Sequence, residues 1–201
     1  MKHKGNALEL DSIDGKVIRQ NMHDEEIDIT HVVEQSVSNP AAFRPVYEAY
    51  FSRVYQYCLR RVGRTQEAED LTSLVFTRAL IHIASYRGGS FPAWLFRIAH
   101  NVLVNHLRDQ RVTLPLVNVE QLGTEDDPLE RLIDVEERQH VIRLVAALSD
   151  EQRNLLSLRM AGRLSAKEIG AIIGKSEGAV RVAIHRIIQK LRAAWAEEEE
   201  R

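Results

Sequence analysis

Residues 85–111, SYRGGSFPAWLFRIAHNVLVNHLRDQR, place four aromatic side chains (Tyr86, Phe91, Trp94, Phe96) within eleven positions and then run into Arg, Asn and His. At about 100° per helical residue, Trp94, Arg97, Asn101, Asn105 and Arg108 share an arc of about 80°. Phe91, Leu95, Ile98, Val102 and Leu103 point elsewhere. One Trp, two Asn and two Arg in a stripe, with Tyr86 and Arg87 in the preceding loop, supply rings that stack on unpaired bases and cations that meet phosphates. The competing reading makes Trp94 core and the remainder a solvated face.

The second set of residues lies in LSAKEIGAIIGKSEGAVRVAIHRIIQKLR, Leu164 to Arg192. Two apolar-periodic segments joined by a short glycine-containing turn match the helix-turn-helix pattern, with Ile169, Ile172 and Ile173 directed inward. On the second segment Val180, Ile184, Ile187, Ile188 and Leu191 share one side. Gly178, Val182, His185 and Gln189 share the other, flanked by Arg181 and Arg186, with Lys175 at the start. Small and polar side chains backed by cations suit a helix in a DNA major groove. An ordinary helical hairpin with a solvated basic face is the alternative.

No catalytic or metal-binding arrangement competes with these surfaces. The eight histidines are scattered, and His100 and His106 fall on different sides of one helix. No Cys/His cluster has zinc-ligand spacing. The carboxylates gather in helix starts, linker and tail, solvated settings unsuited to general acid–base work. No cofactor is therefore expected. Cys58, the single cysteine, reads as a small core hydrophobe.

The positioning elements follow from periodicity and punctuation. Val46, Tyr47, Tyr50, Phe51, Val54 and Cys58 recur at helical steps, giving one helix over about 40–62 that Gly63 closes. Thr65 is the expected N-cap of a second, running to about Tyr86, with Glu67, Glu69 and Asp70 near its positive end. Ser90 caps a third that tolerates Pro92 in its first turn and ends near Gln110. Residues 112–128, with two prolines, a glycine and an acidic cluster, read as a linker. Fully extended, residues 112–135 would reach about 80 Å. Beyond it four helices are expected: one over about 129–147, two opened by capping boxes at Ser149/Gln152 and Ser165/Glu168, and a last capped by Ser176.

Charge divides in the same way. The formal net charge is -2, but residues 41–111 and 141–195 are basic while 1–40, 112–140 and 196–201 are acidic. Two basic modules on an acidic string fit two surfaces facing nucleic acid. The chain has 201 residues, 44% of them hydrophobic, enough for one domain or two small ones. No apolar run is long enough to cross a membrane, and the first twenty residues lack the apolar centre of a signal peptide, so a cytoplasmic protein is expected.

In this order the parts resemble the extracytoplasmic-function (group IV) sigma factors of bacterial RNA polymerase, over about residues 41–194. FRPVYEAYFSRVYQYCLRRVG is similar to the first helix of sigma region two, AEDLTSLVFTRAL to the core-polymerase-binding helix, SFPAWLFRIAHNVLVNHLRD to the promoter-melting helix, and 148–192 to region four. The resemblance implies an all-α, non-enzymatic protein of two small helical domains. Residues 1–38 would be a polar, mobile extension, 39–111 region two, 112–128 the linker, 129–195 region four and 196–201 an acidic tail. It implies that Gln66, Glu69, Asp70, Leu71, Ser73, Val75, Thr77 and Arg78 face the clamp helices of the largest polymerase subunit, a second contact being the flap region. Tyr86, Arg87, Ser90, Trp94, Arg97, Asn101, Asn105 and Arg108 would capture the separated minus-ten strand. Lys175, Ser176, Glu177, Gly178, Arg181, Val182, His185 and Arg186 would meet the minus-35 duplex. It further implies control by an inhibitor, either a separate anti-sigma partner or the N-terminal tail itself. Ser73–Leu74 stand where the family often has Gln-Glu, and Val182–Ala183 where many members have Ser-Arg. A helix-turn-helix regulator acting without core polymerase would leave the Trp94–Arg108 stripe idle, and in a purely structural helical adaptor the basic blocks would be solvation.

Overall fold

The structure is a computed structural model that describes residues 29–110 and 135–199. Among these residues every regular element is helical: α1 (Ile29–Ser38), α2 (Arg44–Val62), α3 (Thr65–Ile81), α4 (Phe91–Gln110), α5 (Val135–Ala146), α6 (Asp150–Met160), α7 (Ala166–Ile173) and α8 (Glu177–Glu199), with 3-10 turns at Pro40–Phe43 and Ile83–Ser85. The expected linker, and the start of the helix expected from residue 129, lie outside the described residues.

The first module packs α2, α3 and α4 around Val54, Tyr57, Val75, Leu95, Phe96 and Leu103, all essentially fully buried. At about 25 cal/mol per Å² of apolar surface, each such side chain contributes roughly 1.5–3 kcal/mol, which outweighs the mixed propensities of the helices. Gly63 ends α2 at φ 70°, a left-handed conformation, its N–H donating to Leu59 O at 2.8 Å. Thr65 does not cap α3. The cap is Arg64, whose extended backbone makes no side-chain capping bond, and Thr65 is the first helical residue. Cys58 is buried and its thiol is pushed up to about 12 by that burial, which fits a packing role.

The tail expected through residue 38 is corrected by α1. Its last ten residues form a helix that packs on the 3-10 turns flanking the first module. Val32 and Ser36, four residues apart, are its buried contacts. A single short apolar stripe inside an acidic stretch has too little periodic signal to stand out. Asn39 then caps the next turn, Ala41 N–H donating to its Oδ1 at 3.1 Å.

The second module contains α5 to α8. Both expected capping boxes form, at Ser149/Gln152 and Ser165/Glu168. Ile169, Val180 and Ile187 are buried between α7 and α8. The ring of His140 on α5 stacks on Trp195 of α8 with centroids 4.3 Å apart. The last helix continues to Glu199, into the stretch expected to be an acidic tail.

Candidate nucleic-acid and polymerase interfaces

The turn before α4 is built by two glycines. Gly88 and Gly89 adopt φ 89° and 87°, conformations costly for any residue with a Cβ. They fold the loop back so that Tyr86 OH donates to Gly89 O at 2.6 Å, while Arg87 donates to Ala84 O at 2.7 Å. Ser90 Oγ accepts from Ala93 N–H at 3.3 Å and caps α4. Phe91, Leu95, Phe96, Ala99, Val102 and Leu103 are buried. Helical geometry therefore turns Arg97, Asn101, Asn105 and Arg108 outward, where all four are exposed. Trp94 is intermediate. Its ring packs against Tyr86 at 5.7 Å and Phe91 at 5.3 Å and keeps part of its surface open. The result is a small aromatic ledge beside a cationic and amide stripe.

On α3 the structure separates the expected polymerase-facing residues. Gln66, Glu69, Asp70, Ser73 and Thr77 are exposed and Arg78 is partly so. Leu71 and Val75 are 4% and 0% exposed, so they anchor α3 in its own module and cannot present themselves to a partner. This corrects their inclusion in the contact surface. Leu74, beside the polar stripe, is 39% exposed. Glu67 turns the other way and pairs with His106, tying α3 to the far end of α4.

In the second module Gly174 closes α7 at φ 72°. Gly170 permits the tight approach of the turn, because a Cβ there would lie 2.4 Å from the Lys175 carbonyl oxygen. Ser176 Oγ accepts from Ala179 N–H at 3.2 Å and starts α8. Gly178, Arg181, Val182, His185 and Arg186 are exposed along one side of α8, opposite buried Val180 and Ile187. Arg181 pairs with Glu177, and Lys175 with Glu151 on α6.

The interface between modules was not foreseen from sequence. Arg53, Tyr57 and Arg61 of α2 each bond to the α6 segment, and Glu168 of α7 reaches Ser90 at the start of α4. The spacing of the three α2 residues by four was visible; their acceptors were not. His100 on α4 stands at the same seam, its Nδ1 3.3 Å from Tyr57 OH. Burial holds its imidazole below the ordinary range, helped by the nearby Arg61 cation and opposed by a hydrogen bond with Asn154. Burial likewise pushes the Tyr57 phenol up. Among the described residues no group of His, Cys, Asp and Glu could hold a metal, and no helix is long and apolar enough to cross a membrane.

Comparison with known proteins places the chain in a family. Residues 46–113 match the Sigma-70 region 2 family and residues 138–191 the Sigma-70 region 4 family. The chain is 30% identical to the ECF RNA polymerase sigma factor SigW of Bacillus subtilis, over 75% of this chain and 87% of SigW. It is 33% identical to the ECF RNA polymerase sigma factor SigD of Mycobacterium tuberculosis, over 80% of each. It is 33% identical to the ECF RNA polymerase sigma factor BldN of Streptomyces coelicolor, over 80% of this chain but only 63% of BldN's length. The fold is similar to that of the sigma factor RpoE in complex with the anti-sigma factor NepR from Bartonella quintana, with TM-score 0.64 and 20% identity, covering 77% of this chain and 96% of that one. It is also similar to CnrH in complex with the cytosolic domain of CnrY, with TM-score 0.61 and 22% identity, covering 85% and 97%.

Proposed function

Since the chain belongs to the ECF RNA polymerase sigma factors, we propose that it binds core RNA polymerase and directs promoter-specific initiation, without enzymatic activity of its own. The exposed stripe Arg97, Asn101, Asn105 and Arg108 beside the Tyr86/Trp94 ledge carries this reading. A regulator of duplex DNA alone has no use for a second basic surface with stacking rings. The exposed polar side of α3, from Gln66 to Thr77, docks on the polymerase clamp helices, and region four lies near the flap. α4 and the Tyr86–Ser90 loop hold unpaired bases of the melted minus-ten strand, rings on bases and guanidinium groups on phosphates. α8 lies in the minus-35 major groove. Tethering the two modules makes the second contact intramolecular, so neither needs high affinity alone.

The protein works in the cytoplasm, with polymerase and promoter DNA as partners. Control by a separate anti-sigma protein is supported by fold likeness to the sigma factor RpoE, solved in complex with the anti-sigma factor NepR. The test replaces Arg97 and Asn101 together by Ala. Open-complex formation, read by permanganate reactivity of unpaired thymines, should fall while capture by core polymerase stays intact. Equal loss of both would make the stripe structural, and no capture of the unaltered chain by core would favour the polymerase-independent regulator.

A further inference from the structure

The outward side of α8 carries one side chain that the fold of its own module does not account for. Val182 is 50% exposed. At about 100° per residue it stands about 160° around the helix from Val180 and about 140° from Ile187, the two α8 side chains fully buried in the module. It therefore takes no part in the packing of α7 on α8. A β-branched residue is also a weak helix former, so propensity does not select it at an exposed position either.

Val182 lies among groups that share its direction. Gly178, His185 and Gln189 fall with it in an arc of about 60°, and all three are exposed. Arg181 and Arg186, also exposed, flank this uncharged strip, about 100° from Val182 in one sense and about 40° in the other. Cations that straddle such a strip meet phosphates on the two walls of a groove, which turns the strip itself to the groove floor and its base edges. Val182 is in the second turn of α8, within the N-terminal part where helix-turn-helix modules bring side chains to bases. One turn earlier Gly178 has no side chain, and a Cβ there would meet nothing within 4 Å. Val182 is thus the first side chain to project from the strip.

The chemistry of an isopropyl group restricts what it can meet on that floor. It neither donates nor accepts a hydrogen bond, so the ring and carbonyl acceptors of the purines and the amino groups of adenine and cytosine would lose water against it with nothing in return. The major groove offers one apolar group, the thymine 5-methyl. Bringing the two together removes apolar surface from water on both partners, and one buried methyl corresponds to about a fourfold change in affinity.

We propose that Val182 is a specificity determinant that reads the 5-methyl group of one thymine in the minus-35 duplex, with Arg181 and Arg186 holding α8 over it. The inference rests on the sigma reading for the identity of that duplex, but the methyl contact belongs to α8 with or without polymerase. His185 and Gln189, which can hydrogen-bond, meet polar base edges further along the same strip.

The test begins with duplexes selected from a randomised pool by the full chain, alone and together with core polymerase. In the selected sequence each thymine is replaced in turn by deoxyuridine, which lacks only the 5-methyl. One of these replacements should weaken binding of the unaltered chain about fourfold and should cost nothing in Val182→Ala, while the others act alike on both chains. Val182→Ser should abolish the same sensitivity and relax the choice of thymine at that position. Because position 182 is exposed, both variants keep the module folded, which circular dichroism checks. The proposal is overturned if no deoxyuridine penalty disappears in the Val182 variants, or if no sequence is selected with or without polymerase. Selection of a methyl-sensitive sequence by a chain that fails to bind core polymerase would sink the sigma reading and leave the contact standing.

Discussion

The helix-turn-helix depends on a close approach that one methyl group can break. Gly170 is buried inside α7, and a Cβ built there falls 2.4 Å from the Lys175 carbonyl oxygen and 3.5 Å from the Glu177 nitrogen. Ordinary contact starts near 3.4 Å, so the chain at Lys175 must retreat by about 1 Å or the helices must part. That neighbour is backbone, held by Lys175 N–H donating to Gly170 O at 3.0 Å. Overpacking of this kind costs about 1–3 kcal/mol, against which Ala returns up to about 1 kcal/mol of helix propensity. Gly170→Ala should therefore destabilise the second module by about 1–2 kcal/mol and displace the start of α8. Urea unfolding with Trp195 as the reporter, in a Trp94→Phe background, reads the first effect. Binding to a minus-35 duplex reads the second, with about a tenfold loss per 1.4 kcal/mol. Gly178→Ala is the counterpart: its Cβ meets nothing within 4 Å, so stability should hold or rise, and any loss of duplex affinity then belongs to the DNA face. A Gly170→Ala protein as stable and as tightly bound as the original would refute the tight turn.

Two further predictions concern charge. Arg181, on the exposed side of α8 and paired with Glu177 in the free chain, should on replacement by Ala weaken duplex binding across sequences and reduce the salt slope by about one; an unchanged slope removes it from phosphate contact. For His100, burial at the seam among Tyr57, Asn154 and Arg61 lowers the imidazole pKa from its ordinary 6.5. The folded chain thus binds the proton less well than the unfolded one. Its contribution to stability is fully present above pH 6.5 and is lost as the pH falls from there through the depressed value. The urea unfolding midpoint should fall on acidification from about pH 7.5 to 5.5, and less so in His100→Gln. A rise in the His100-dependent part of the midpoint on acidification would contradict that sign.

Much of this architecture could be read from single residues. The apolar steps of α8, the two capping boxes and the closing glycines at 63 and 174 are local signals, and each element formed where its own chemistry placed it. The outward stripe of α4 was legible because its opposite side is so strongly apolar. Leu71 and Val75 were misplaced because they were carried over by resemblance, whereas their alternation with exposed Asp70, Ser73 and Thr77 already marks them as the buried side of α3. Trp94 fell between core and surface, since Tyr86 and Phe91 cover part of its ring and leave the rest open. The seam had no sequence signal. Its acceptors include the backbone oxygens of Asp150, Ala161 and Gly162, about a hundred residues from their donors, and a carbonyl in a distant turn has no residue code.

The most direct measurement is run-off transcription reconstituted from core polymerase, this chain and genomic fragments, with start sites mapped. The account predicts initiation at discrete sites that share two upstream elements and that core alone does not use. It also predicts loss of those transcripts when Arg97 and Asn101 are both Ala, although core binding persists. Discrete transcripts that survive the double substitution, or a chain that adds no start sites to core polymerase, would contradict it.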